Sequence, residues 1–326
     1  MINLVQNEML KLVRKKKLVV VALIMGILIS LFTYAQFKEA ARTLERLGDV
    51  DWRTTLQQQI IDTQNRLTSS RISDEWKSQL QLRIQQQQYY LDYNVNPMEP
   101  GAPTFMREFA ENSIDLFLPL MVMVIAADLV SSERSAGTVK LLLTRPVKRW
   151  KILMSKYITL VLSISFIIVL FGFLSYIISG LVFGYQGWSA PVLTGFSVEA
   201  GELITSGVQL IPQWQYLLME FGLVWFVSLI VGTLAFMLSV LMRSTAAGMG
   251  VMLAALIAGM ILSNMVSSWE SAKYLFMINL KLTDYLTGGA PPIDGMSLGF
   301  SLAVLAIWGL AALAISFTVF TKQDVY

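Results

Sequence analysis

The densest grouping of chemistry-bearing residues lies at Glu133-Arg134-Ser135-Ala136-Gly137-Thr138-Val139-Lys140-Leu141-Leu142-Leu143-Thr144-Arg145-Pro146-Val147-Lys148-Arg149, with Lys156 shortly after. It holds no nucleophile–base pair. What these residue types can do is dock. Gly137 supplies a break, Thr138 a helix cap, and Pro146 stops the apolar run that contains Leu141 and Leu142. Leucines set among Glu133, Lys140, Arg145 and Arg149 need a cover. A partner protein supplies one, because apolar anchors inside a polar rim make a docking surface. Lipid supplies another, with leucines resting in the interface and cations on anionic head groups.

A second grouping is N-terminal: Lys11, Arg14, Lys15, Lys16 and Lys17 follow a partial apolar face of Ile2, Leu4, Val5, Met9 and Leu12. This describes an interfacial helix meeting anionic lipid, or a plain basic flank that sets orientation. Three acids fall in or beside apolar runs, where a charge costs about 2.5–3.5 kcal/mol at mid-bilayer. Asp115, on a face with Glu108 and Glu111, and Glu220 sit near helix starts that favour carboxylates. Asp128 lies at a helix end that opposes an acid, so a bond to the 133–149 connector or to a nearby cation is expected.

The chain has no cysteine and no histidine, which removes disulfides, thiolate nucleophiles and Ser-His-Asp triads. No Gly-x-x-x-x-Gly-Lys-Ser/Thr phosphate loop occurs. An intramembrane protease would need paired acids or a metal cluster at mid-membrane, and the acids here lie near helix ends.

The elements that carry these residues are membrane spans. Of 326 residues, 55% are hydrophobic and 14% charged, against about a quarter charged in a soluble domain. The apolar residues fall into blocks of about 20, the length that crosses a bilayer. They predict spans at 18–34, 113–130, 152–183, 216–242, 245–266 and 298–320. The first block is not a cleaved signal, since no small-residue cleavage site follows it. Lys and Arg concentrate in 1–17 and 131–151, with Arg243 and Lys322 at the remaining ends of the same side, while 184–215 has neither. Both termini are therefore expected in the cytoplasm of a cell-membrane protein.

The fold class expected is all-α: six transmembrane helices, an N-terminal amphipathic helix at 1–17, an external helical hairpin within 35–112, and a cytoplasmic tail at 321–326. The hairpin rests on Leu56, Ile60 and Leu67 at helical spacing and a second helix capped by Ser73, with Ile72, Trp76, Leu80 and Ile84 nearby. Tyr274 to Ile278 suits a re-entrant or interfacial helix, with Gly288-Gly289 and Pro291-Pro292 breaking the chain after it. Ala246, Gly250, Ala254, Ala255 and Gly259 allow close helix approach, within the subunit or between two copies.

The pattern Glu133…Gly137-Thr138…Leu141-Leu142…Pro146…Arg149…Lys156, between the second and third spans, resembles the connector of type-2 ATP-binding cassette (ABC) exporter permeases. Asn3-Leu4…Glu8…Lys11-Leu12…Arg14 is similar to the amphipathic helix on the inner face of those permeases, and Tyr274 to Leu286 to their outer re-entrant region. The 35–112 insertion departs from the many members with a short first loop.

The resemblance implies a coupling helix docked on a separate ATPase subunit, a second permease subunit and surrounding lipid as partners, and export driven by ATP. ATP and Mg belong to that partner, with no cofactor expected on this chain, no enzymatic activity of its own and no nucleic acid. The neighbouring gene is expected to encode the ATPase. The alternative is a membrane scaffold or sensor whose 35–112 domain binds a ligand or partner outside.

Overall fold

The computed structural model describes residues 1–48, 51–68, 74–135, 137, 147–199, 202–263, 265 and 269–322. The chain begins with helix α1 (Ile2–Arg14), which ends where Lys16 takes a left-handed conformation, φ 55°. Helix α2 (Lys17–Leu47) then runs for 31 residues. At 1.5 Å per residue it reaches about 46 Å, longer than the roughly 30 Å hydrocarbon core, so its polar last turns stand clear of the apolar zone. Helices α3 (Trp52–Leu67) and α4 (Asp74–Asp92) follow as a packed pair. Leu56 and Ile60 of α3 and Leu80 and Leu82 of α4 are buried, and Gln87 Nε2 donates to Gln59 Oε1 at 3.1 Å. Ser73 and Ile72, the expected start of α4, lie outside the described residues.

The return toward the first end is a broken path. Helix α5 (Ala102–Glu111) stops at Asn112, and α6 (Phe117–Ala126) restarts after Leu116 leaves helical geometry; α7 (Ser131–Ser135) follows a further set of turns. The cause of the break is Pro119, in the first turn of α6. A continuous helix would need its missing N–H to bond the Asp115 carbonyl, and its ring would clash there.

Helix α8 (Arg149–Phe183) ends at Gly184, whose φ of 85° suits only glycine comfortably. Strands β1 (Pro191–Thr194), β2 (Ser197–Glu199), β3 (Glu202–Ile204) and β4 (Gln209–Pro212) lead into α9 (Gln213–Leu241). Then come α10 (Thr245–Ser263), two 3-10 turns at Glu270–Tyr274 and Phe276–Asn279, the short α11 (Asp284–Thr287) and α12 (Leu298–Lys322).

The protein is a mostly helical, multi-pass membrane protein, and the structure corrects the expected fold class in two respects. Among the described residues five helices, not six, are long and apolar enough to cross a membrane: α2, α8, α9, α10 and α12. The block at 113–130 is not one of them, because Pro119 divides it and α6 is only 10 residues long. Nor is the chain all-α. β1 pairs antiparallel with β4, Val192 opposite Ile211, and β2 with β3, Val198 opposite Leu203, as two nested two-stranded sheets.

Helix α9 is central. In its most apolar stretch 67% of residues are buried within the chain, against 22% for α2 and α10, whose bare leucines and isoleucines face where lipid would lie. Gly232 lets α6 and α8 close on α9: a Cβ there would stand 2.8 Å from Ile164 Cδ1 and 2.9 Å from Val122 Cγ1.

At the end where α5 begins and α8 stops, α4 seats on the β-ribbon and on α11. Tyr89 meets Phe196 edge-on at 5.4 Å, Gln86 Nε2 donates to the Gly288 carbonyl at 2.7 Å, and Thr194 Oγ1 to the Leu286 carbonyl at 2.9 Å. The Tyr274 to Ile278 stretch forms the two 3-10 turns rather than one α-helix, and Gly259 of α10 packs directly on Met277.

Candidate functional site

The opposite end of the bundle gathers α1, the start of α2, α7 and the start of α8, and there four charges close into a ring. Glu8 sits on the inward stripe of α1 beside Leu12, so folding the amphipathic helix against α8 carries a carboxylate into the bundle. Lys156 lies two turns into α8 and is 1% exposed. Lys156 Nζ bonds Glu8 Oε2 at 2.8 Å and Glu133 Oε2 at 2.9 Å. Lys11 Nζ bonds the other oxygen of each acid, Glu8 Oε1 at 2.7 Å and Glu133 Oε1 at 2.8 Å. Each carboxylate thus bridges both lysines, the charges alternate, and the sum is zero. Lys156 spends its third proton on the Leu129 carbonyl, 2.9 Å away.

A second, more exposed cluster flanks the ring. Asp128, just past α6, accepts from Lys17 at 2.7 Å and Lys15 at 3.0 Å, and Lys15 also reaches Ser132 Oγ at 3.2 Å. Ser239 of α9 pins the turns between α6 and α7. Its hydroxyl accepts from the backbone N–H groups of Val130 and Ser131, both at 3.0 Å, and donates to the Ala127 carbonyl at 2.8 Å. Arg134 donates to the Val240 carbonyl, and Ser131 and Thr245 hydroxyls meet at 2.7 Å. Segment 127–135 is therefore tied to α1, α2, α8, α9 and α10.

The electrostatics follow from this geometry. Burial pushes the Glu8 carboxyl up, but Lys156 and Lys11 outweigh it and hold it below the ordinary value. Burial would lower the Lys11 ammonium, yet Glu133 and Glu8 raise it. Asp128 repeats the Glu8 case, with Lys17 and Lys15 overcoming its burial. The ring performs no bond chemistry. It can hold three helices as one body.

Of the residues singled out from sequence, Glu133, Asp128, Lys11, Lys15 and Lys17 come together here. Arg14 and Lys16 are exposed on the same side. Gly137 is exposed in a turn with φ 69°, and Arg149 opens α8, with its Nη1 3.4 Å from the Thr321 carbonyl. Thr138, Lys140, Leu141, Leu142, Arg145 and Pro146 lie outside the described residues. Asp115 pairs with Lys281 at 3.4 Å, while Glu220 is far from the ring and fully buried in α9.

Glu8 and Lys156, named from sequence only as part of a pattern, turn out to complete the ring. A lysine inside an apolar run was their one signal, since it demands a counter-charge. Ser239 carried no signal at all.

The sequence profile of the family described as "Protein of unknown function (DUF2705)" matches residues 77–326. The chain is similar to the uncharacterized protein YhcI of Bacillus subtilis (strain 168), 28% identical over 327 aligned residues that cover 100% of this chain and 99% of that one. It is also similar to the uncharacterized membrane protein YdbK of the same organism, 29% identical over 215 residues, 65% of this chain and 80% of that one.

Proposed function

The chain belongs to the DUF2705 family, and from that premise we propose that it is the membrane-spanning subunit of an ABC-type exporter, driven by a separate ATPase docked on the 133–149 connector. The observation that carries this reading is the closed ring of Glu8, Lys11, Glu133 and Lys156. An ATPase at the membrane surface moves transmembrane helices only through an element rigidly joined to them. Segment 127–135, leading into the connector, is joined to α8 by a buried ion pair and to α1 by a partly buried one, with every ring charge matched, so a push on it turns both helices together.

Among the described residues, the cations of 1–17, Arg134, Lys148, Arg149, Lys151, Arg243 and Lys322 share this end, which supports a cytoplasmic position for both termini in the cell membrane. ATP and Mg then belong to the partner, and a second permease subunit completes the pathway. Replacing Leu141 and Leu142 together by Asp should abolish binding or stimulation of the ATPase encoded by the neighbouring gene while leaving insertion intact, because an unpaired charge buried in an interface costs about 3–5 kcal/mol. Normal coupling in that variant would leave the connector a lipid-facing loop.

One observation favours a second reading, a scaffold or sensor: the α4, β-ribbon and α11 assembly makes an ordered surface at the other end. Failure of any ATPase to co-purify would favour it.

A further inference from the structure

Near the α4 end of the bundle, α5 and α9 bring together two acids and one guanidinium. Arg107 and Glu111 are one turn apart on α5, and Tyr216 and Glu220 one turn apart on α9. The Tyr216 hydroxyl donates to Glu111 Oε1 at 3.1 Å, and the Arg107 guanidinium lies 5.8 Å from the Tyr216 ring centre while donating to the Pro97 carbonyl at 3.0 Å. Glu220 lies beneath them with 0% exposure, and neither of its carboxylate oxygens has a hydrogen-bond partner. Glu111 and Arg107 are the charged groups whose fields act on it.

The surrounding elements add no further cation. α6, α10, β1 and β4 carry no charged residue, α8 has none after Lys156 on its way to this end, and α12 has only Lys322 at its far end. The tyrosines of α8 are occupied elsewhere, Tyr157 with Thr233 and Tyr176 with Tyr185 and Trp188. Of the neighbouring acids, Glu108 accepts from Gln36 at 2.6 Å, and Asp284 and Tyr90 act on Glu111 or Arg107 from the α4 and α11 side. Carboxylates therefore outnumber the one guanidinium, Glu108 also acting on Arg107 and Glu111, in a place where an uncompensated anion is strongly disfavoured.

We propose that Glu220 is the carboxylate of a small-monocation site that takes up a proton or a sodium ion from the end of the bundle opposite the charge ring. The occupant is small because Glu220 has no accessible surface, so the ion arrives without its water. It is a monocation because one positive charge brings Arg107, Glu111 and Glu220 to neutrality. Arg107 and Glu111 are only half-buried and form the edge from which it enters. The proposal stands independently of the exporter reading.

The test uses the purified full-length protein and its unfolding midpoint in two series. One runs from mildly acidic to mildly alkaline pH in potassium. The other replaces potassium by sodium at constant ionic strength and alkaline pH. An occupant that binds only the folded chain raises the midpoint with its concentration. A proton site predicts that the wild-type midpoint falls by several degrees as pH rises, with no response to sodium; a sodium site predicts a saturable rise in the second series. In either case Glu220→Gln should flatten the response. Glu111→Gln, which leaves one acid against Arg107, should flatten it too, so the outcome does not hang on one variant folding. A wild-type protein that responds to neither series, or responds as both variants do, overturns the proposal.

Discussion

The two ends of the molecule handle buried charge in opposite ways. At one end Glu8, Glu133, Lys11 and Lys156 alternate in a closed ring, two of each sign, every contact between 2.7 and 2.9 Å. At the other, Glu111 and Glu220 face Arg107, and Glu220 makes no hydrogen bond. Side chains of the same types thus give a fixed joint where charges are matched within the chain, and an unpartnered carboxylate where they are not. The matched end joins α1, α7 and α8 and leads into the connector. The unmatched end lies between α5 and α9 under the α4 assembly.

The largest effect expected from breaking this contrast is at Lys156. Lys156→Met removes a cation that is 1% exposed and leaves Glu8 and Glu133 with Lys11 alone between them. The loss should be about 3–5 kcal/mol of stability, read as a lower midpoint in thermal unfolding. Glu220→Gln at the other end should cause no comparable loss. Equal losses at both ends would erase the distinction.

A smaller effect is expected at Asp128. Its partners Lys15 and Lys17 are 46% and 23% exposed, so solvent screens these pairs more than those of Lys156, and partly exposed pairs contribute about 1 kcal/mol or less. Asp128→Asn should lower the same midpoint modestly, and high salt should shrink the difference.

The finest contrast is in pH. Glu8 and Asp128 have folded values below their ordinary ones, so their contribution is complete above the unfolded values, roughly 4.3 for Glu and 3.9 for Asp. It is lost as pH falls through the lower folded values. Lys11 is raised. Its contribution is complete below the ordinary lysine value of about 10.4 and is lost as pH rises through the folded one. The ring end should therefore be level across the neutral range, and a Glu8→Gln difference in unfolding midpoint should shrink only in strong acid.

How much of this was legible in the sequence depends on what each residue needs nearby. The spans α2, α8, α9, α10 and α12 are long apolar runs, and a run carries its own signal. The break at Pro119 was visible as a proline but hidden by the hydropathy of Phe117 to Ala126, which averages over the missing N–H. The β-ribbon was missed because strands of three or four residues, such as Ser197–Glu199, give too few alternations to register a period. At the ring, Lys156 advertised its need for a partner, yet Glu8 lies 148 positions away and only the packing of α1 on α8 joins them. Glu220 looked like an ordinary acid near a helix start. Its lack of a partner exists only in three dimensions.

The most direct test of the central claim, that the ring carries motion from the connector into the helices, is ATP hydrolysis per bound ATPase. The full-length chain would be co-reconstituted with the ATPase proposed to dock on the connector, and the wild type compared with Glu133→Gln. This variant keeps the shape of the joint but removes its charge, and leaves the connector leucines in place. The account predicts that Glu133→Gln binds the ATPase as the wild type does but loses most of the stimulation of hydrolysis. Full stimulation at equal binding would contradict it.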